Sequence, residues 1–439
     1  MQIFSRLSKK SSLAVCTALF FSQSIYAQVP TPAPAQTKPI LIVGATIHTA
    51  AGKVVENGLI GFDNGKITVI ADAIQTSEKA RYEIIDATGK HIYPGLIVPN
   101  TMLGLVEIEA VRATVDFAET GSLNPHVRSI IAYNTDSDIT PTVRSNGVLI
   151  AQVTPRDGLV SGQSSVVQLD AWNWEDAALR TDDGLHLNWP NSFARTGWWA
   201  EPGGIEKNKN RDKQFAEIEK LFDDAWQYHS APNPAHNAKL EAMRGLFSSK
   251  KTLYIHTAAA KEIVESVNFA KEKHVGKIVI VGGDDSYKVA HFLKENNVSV
   301  ILRRVHNLPN NDDDDYDLPY RTPSLLQKAG VLFCIDMEGN QEASEARNLP
   351  FQAGTAIAHG LDKESALAAI TLNTAKILGI DKRVGSLEFG KDATLIVSDG
   401  DILDMKTNNV TMAFIQGRQL DLTNKQKALY KKFSEKYNR

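Results

Sequence analysis

The residues best suited to chemistry in this chain lie at the ends of short apolar runs. His256 closes Thr252-Leu253-Tyr254-Ile255-His256, and Asp336 and Glu338 follow Val331-Leu332-Phe333-Cys334-Ile335. An imidazole facing one or two carboxylates can move protons without a metal, as a general acid/base set. The bland alternative for the carboxylates is hydrogen bonding to loop amides, and for His256 a backbone partner. Asn100 follows Leu96-Ile97-Val98 and could orient a substrate carbonyl, or simply form an Asx turn. Arg304, beside Arg303 and His306, could clamp a carboxylate. Asp284 and Asp285 follow Lys277–Val281, where N-capping of the next helix accounts for at least one of them. Trp189 belongs to a run of tryptophans (Trp172, Trp174, Trp198 and Trp199) able to line a ligand pocket or to pack in a core.

These positions need elements to hold them. From Val98 onward the pattern alternates strand and helix. Strands are expected at Gly147–Val153, Ser164–Leu169, Gly184–Trp189, Thr252–His256, Lys277–Val281, Val298–Leu302 and Val331–Ile335. Amphipathic helices are expected between several of them, the longest near Asp212–Tyr228. Asp362 is expected to cap a helix from Lys363 to Leu378. Such repetition predicts a parallel sheet, and a count close to eight units points to a (β/α)8 TIM-like barrel of class α/β over residues 94–383, although the periodicity by itself also fits an open doubly wound sheet. In a barrel the strand ends share one rim, so His256, Asp336, Glu338 and Asn100 would meet there. Residues 40–93 are β-rich, with a hairpin signal at Asp63-Asn64-Gly65, and residues 384–420 return to β. Residues 421–439 read as a polar, lysine-rich helix.

Composition narrows the classes. The 439 residues are 43% hydrophobic and 23% charged, with formal net charge −3, which offers no electrostatic footprint for nucleic acid. Residues 1–27 have a basic start, a short apolar core and Ser24-Ile25-Tyr26-Ala27, the expected form of a signal peptide cleaved after Ala27. A lipoprotein box at Leu13–Cys16 is the rival reading. Residues 28–39 are a proline-rich linker. The expected location is therefore the periplasm, with no membrane-spanning segment in the mature chain. Cys334 is the one cysteine after the signal, so no intramolecular disulfide can form, and its apolar setting suits a small hydrophobe. Asp312–Asp315 is read as a solvated acidic loop, since EF-hand spacing is absent.

Three motifs together carry a family resemblance. Pro94-Gly95-Leu96-Ile97 after a β-region, Thr371-Leu372-Asn373-Thr374-Ala375-Lys376-Ile377-Leu378-Gly379, and Gly385-Ser386-Leu387-Glu388-Phe389-Gly390-Lys391-Asp392-Ala393-Thr394-Leu395 resemble the amidohydrolase superfamily, in particular its secreted, imidazolonepropionase-like branch. The resemblance implies a barrel whose flanking segments build one composite β-sandwich domain. It also implies a hydrolase of C–N bonds in small amides, with one or two divalent metals activating water. The ligand motif implied for the first strand, Pro-Gly-Leu-Ile-Asp-x-His-x-His, is broken: Val98, Asn100 and Met102 replace Asp and both His. The fifth-strand His is matched by His256, the sixth falls at Gly283 or Asp284, and the eighth-strand Asp is matched by Asp336 or, at the usual offset, Glu338. No strand-four Lys is identified. The expectation is a site without a cofactor, or with at most a single zinc. Two functions follow: a hydrolase with a rebuilt acid/base site for a small-molecule substrate, or a non-catalytic homologue that binds a ligand or serves an active paralogue as partner subunit. Homo-oligomers are also expected.

Overall fold

The computed structural model describes residues 31–72, 80–198, 200–311, 313–339 and 341–437. The expected signal peptide, the first residues of the linker, Trp199 and Asp312 lie outside the described residues. Among those described, no helix is long and apolar enough to cross a membrane.

The chain opens with β1 (Ile40–His48), β2 (Val54–Asp63), β3 (Lys66–Ala71), β4 (Glu83–Asp86) and β5 (His91–Pro94). The Asn64–Gly65 turn joins β2 to β3, and both residues take positive φ, as a tight hairpin requires. The barrel strands follow: β6 (Leu96–Thr101), β7 (Val148–Val153), β8 (Val160–Gln168) and β9 (Ala178–Asn188). A hairpin of β10 (Phe193–Trp198) and β11 (Glu201–Lys207) was not anticipated from the sequence. Then come β12 (Thr252–Thr257), β13 (Ile278–Gly282), β14 (Ser299–Leu302) and β15 (Phe333–Ile335). The chain returns to β with β16 (Leu395–Ser398), β17 (Val410–Ile415) and β18 (Arg418–Gln419), and ends in the helix Lys425–Tyr437.

The two ends of the chain form one sheet in the order β18-β17-β16-β5-β1-β2-β3, with β4 on β1. Its own core includes Ile42, Ile60, Phe62, Ile92, Leu395 and Phe414. Phe62 and Phe414 meet edge to face at 5.2 Å, so residues 352 positions apart share one apolar interior.

The second large sheet has the order β15-β14-β13-β12-β9-β8-β7-β6 and nearly closes on itself as a TIM-like barrel. Seven of its eight strands point the same way, while β8 runs antiparallel to both β7 and β9. This corrects the expectation of an all-parallel sheet. The cause is chain length: only residues 154–159 join β7 to β8, and a parallel return needs a dozen residues or more. Between β6 and β7, residues 102–147 are largely irregular, with short helices at Ser129–Ala132 and Thr140–Arg144.

Elsewhere the helices fall where the apolar spacing places them. Arg211–Ser230 buries Ile218, Leu221, Phe222, Ala225 and Tyr228. The helix expected over Lys363–Leu378 is two, Lys363–Ala369 and Leu372–Leu378; Asp362 caps the first by accepting from Ser365 N. Along the barrel strands alternate side chains point inward. Ile97, Ile150, Val166, Tyr254, Val279, Val281, Ile301 and Cys334 fill the interior, together with Ala375, Ile377 and Leu378. Further along the same strands, toward their C-terminal ends, the inward positions become polar, and the site lies there. Cys334 is buried and free, and burial pushes its thiol well above its ordinary value, which suits a packing role.

Candidate functional site

The first strand delivers Asn100, almost fully buried and in a left-handed conformation with φ 48°. Asparagine tolerates that backbone better than most residues. Its amide nitrogen donates to Asp336 Oδ2 at 2.9 Å and to Glu338 Oε2 at 3.1 Å. One side chain thus ties the first barrel strand to the loop after the eighth, across the seam where β6 and β15 do not pair.

Arg156, from the short β7–β8 loop, completes the set. Its Nη1 donates to Asn100 Oδ1, and its Nη2 to Asn100 O and to Glu342 Oε1, each at 2.8 Å. Glu342 also accepts from Met102 N, which fixes the loop after β6. Below them runs a second network. Gln152 Oε1 accepts from Asn100 N, and its Nε2 donates to Asp183 Oδ2. Asp183 also accepts from Ser164 Oγ at 2.7 Å and from the Tyr254 hydroxyl at 2.7 Å. Burial lifts the Asp183 carboxyl against the pull of these donors.

His186 and His256 form a pair. His186 Nδ1 lies 2.9 Å from His256 Nε2, and the His186 ring stacks on Tyr254 at 4.7 Å. Gly184 makes room for this stack, because a Cβ there would meet the Tyr254 ring at 2.2 Å. His186 Nε2 is buried without a hydrogen-bond partner. His256 keeps partial exposure, yet the surrounding protein desolvates its ring and presses its pKa down to about 4, against the opposing pull of Glu338. His186 is lowered well below its ordinary value, first by burial and then by His256 and Arg156. Both rings are therefore neutral at pH 7.

The two carboxyls bridged by Asn100 are pushed apart. Asp336 is completely buried and sits beside Glu338, and both effects raise its pKa well above the usual range. Burial acts upward on Glu338 too, but His256, Arg156, Arg303 and the Asn100 amide outweigh it and hold Glu338 ionised. With His256 neutral, the two guanidiniums supply the lasting charge. A protonated carboxyl next to an ionised one is how paired carboxyls divide acid and base roles.

The sequence-derived candidates separate into two groups. Asn100, Asp336, Glu338 and His256 come together at the strand ends. Asp284 reaches the edge of this group through Arg303, whose guanidinium lies 3.7 Å from Asp284 and 3.9 Å from Glu338. Asp285, next to it, accepts from Ala260 N and so caps the helix after β12 instead of its own. Arg304 turns aside: its guanidinium packs against Gly339 and its Nε has no hydrogen-bond partner. Trp189 is buried among Phe215 and Phe269 and donates to Glu265, outside the polar cluster. Arg156, His186, Gln152, Asp183, Tyr254 and Glu342 were not singled out from the sequence. The signal for two of them existed: Gln152 and His186 are polar residues at inward positions of otherwise apolar strands.

The donor set does not suit the divalent metal that the resemblance implies. Asn100 commits its amide oxygen to Arg156 and its nitrogen to two carboxyls, and His256 Nε2 is engaged by His186. Among the described residues no three His, Cys, Asp or Glu side chains converge as metal ligands. A guanidinium cation lies among the groups that would have to bind the ion.

The fold and the site define a TIM-like barrel with polar residues gathered at the strand ends. Residues 323–420 match the family model "Amidohydrolase family". The chain is 25% identical over 402 residues to the imidazolonepropionase of Shouchella clausii, covering 85% of each chain. It is 42% identical to the imidazolonepropionase of Bacillus cereus, but over 50 residues only, 11% of this chain and 12% of that one. The crystal structure of an amidohydrolase from Thermotoga maritima superposes with a TM-score of 0.75 at 24% identity, covering 87% of this chain and 99% of the other. Residues 323–420 are thus similar to the amidohydrolase family, and over most of its length the chain shares the fold of a solved amidohydrolase.

Proposed function

We propose that this chain hydrolyses a C–N bond of a small amide, cyclic amide or peptide-like substrate at the C-terminal rim of its barrel, using its own acid/base groups. The observation that carries this reading is the Asn100 amide nitrogen bridging Asp336 and Glu338 while their surroundings push the two pKa values in opposite directions. Glu338, ionised and 29% exposed at its side chain, takes a proton from water as the oxygen attacks the carbonyl carbon. The same proton then passes to the nitrogen as the C–N bond breaks, leaving a carboxylic acid and an amine. Asp336 stays neutral behind it and keeps a second negative charge from the site. His256 faces the same pair as a neutral ring. The substrate class takes its support from the relatives named imidazolonepropionase, and a periplasmic location takes its support from the leader-like first 27 residues.

One observation favours a second reading, a ligand-binding homologue or partner subunit. Two clefts, of about 1010 and 810 Å³, one between Arg180–Asp182 and Ala238–Lys251 and the other beside Val115–Thr120 and His126–Ser129, include none of Asn100, His256 or Glu338 in their walls. A turnover screen of amides and lactams with purified protein separates the readings. Activity that falls at least about a hundredfold in Glu338→Gln, with the fold retained, supports the hydrolase. An inert protein that co-purifies with a second barrel chain supports the subunit.

A further inference from the structure

The barrel mouth holds a fixed positive charge, the Arg156 guanidinium. Arg156 has five N–H donors, and three are spent on Asn100 Oδ1, Asn100 O and Glu342 Oε1. The guanidinium sits close enough to His186, His256, Glu338 and Glu342 to act on the charge of each. It is therefore central to the group of side chains that a metal would have to recruit. Both Glu342 oxygens are occupied, Oε1 by Arg156 and Met102 N and Oε2 by Gly339 N at 3.4 Å. The two changes in the first-strand motif fit this arrangement. Asn100 offers an oxygen that accepts from a guanidinium and a nitrogen that donates to carboxyls, a pairing no ionised or metal-bound side chain can provide. Met102 contributes its backbone N–H, not a ligand, to the same carboxylate.

We propose that Arg156 is the resident cation of this site: it takes up the position a divalent metal would require, excludes that metal, and presents one of its two remaining N–H groups to an oxygen of the bound ligand, a carbonyl or carboxylate. This rests on the reading that the Asn100–Glu338 cluster is the working site, but its test reads binding and not turnover.

The full-length mature protein is incubated with excess zinc chloride, dialysed and analysed for metal. The expected content is below about 0.1 zinc per chain. Stoichiometric zinc that disappears in His256→Asn would overturn the proposal, whatever the outcome of the turnover screen. The second arm uses Arg156→Ala with guanidinium chloride at about 10 mM, far below denaturing levels. The variant is expected to lose about 5–10 °C in Tm, with guanidinium restoring at least half of the loss while lowering or leaving unchanged the Tm of the wild type. No recovery in a folded Arg156→Ala protein would show that Arg156 is an ordinary ion-pair residue. If Arg156→Ala does not fold, Arg156→Lys carries the test: it keeps the charge, so it is expected to exclude zinc as the wild type does, and zinc uptake by it would count against the proposal.

Discussion

Asn100 illustrates how much a single side chain can decide. It satisfies two carboxyls and one guanidinium at once, from a backbone conformation that few residues accept. Asn100→Leu leaves all three groups short of a partner, Asp336 among them fully buried, and adds backbone strain. We expect a loss of about 3–5 kcal/mol in urea-induced unfolding, compared with under about 1 kcal/mol for an exposed control substitution. His256 gives a prediction in pH. Its folded pKa of about 4 lies below the ordinary value of 6.5, so between these the unfolded chain takes up a proton that the folded chain refuses. Its contribution is full above pH 6.5 and is lost as pH falls toward 4. The stability difference between wild type and His256→Asn should therefore shrink by about 3 kcal/mol across that interval, measured by denaturant titration at a series of pH values. A pH-independent difference would show that the ring is not desolvated.

At the level of elements, the reversed strand β8 is the most informative departure from the repeating pattern. Its six-residue link to β7 rules out a crossover helix and brings Arg156 over the barrel mouth. From the sequence this strand is expected to start at Ser164, which leaves ten residues after Val153, whereas β8 begins at Val160. What the apolar pattern does not encode is direction: a strand covered on both faces reads alike in either orientation. Gly184 marks a second dependence between elements. Gly184→Ala would push a methyl group into the Tyr254 ring and disturb the Tyr254–His186 stack. A cost of about 1–3 kcal/mol in thermal unfolding and a changed near-UV circular dichroism signal are expected. The same substitution at Gly390, where nothing lies within 4 Å but φ is positive, should leave the near-UV signal unchanged.

For the whole molecule, the composite sheet makes the C-terminal segment part of the fold's foundation. β16 pairs with β5 and β17 with β16, and Leu395, Val397 and Phe414 lie in the same core as Ile42 and Ile60. Removing residues 385–439 exposes the edge of β5 and opens that core, so the shortened chain should be recovered insoluble or unfolded by circular dichroism. Removing only residues 425–439 takes away a helix with no buried residue, and Tm should shift by less than about 2 °C. Equal damage from both truncations would mean that the terminal helix packs more tightly than its exposure indicates.

Sequence periodicity alone determined the α/β class and put Asn100, His256, Asp336 and Glu338 at strand ends, because both are local properties of the chain, while the barrel with its composite β-domain was what the family resemblance implied. The sequence also showed that Val98, Asn100 and Met102 stand where the resemblance implies Asp and two His. Only the tertiary structure decided what stands with them. Arg156 lies 56 residues from Asn100 and 186 from Glu342, and the partner of His256 is His186, 70 residues away. Those distances collapse only when the barrel closes. The opposed pKa values of Asp336 and Glu338 belong to the same class of fact, since they arise from burial and neighbouring charge, which no stretch of sequence carries by itself.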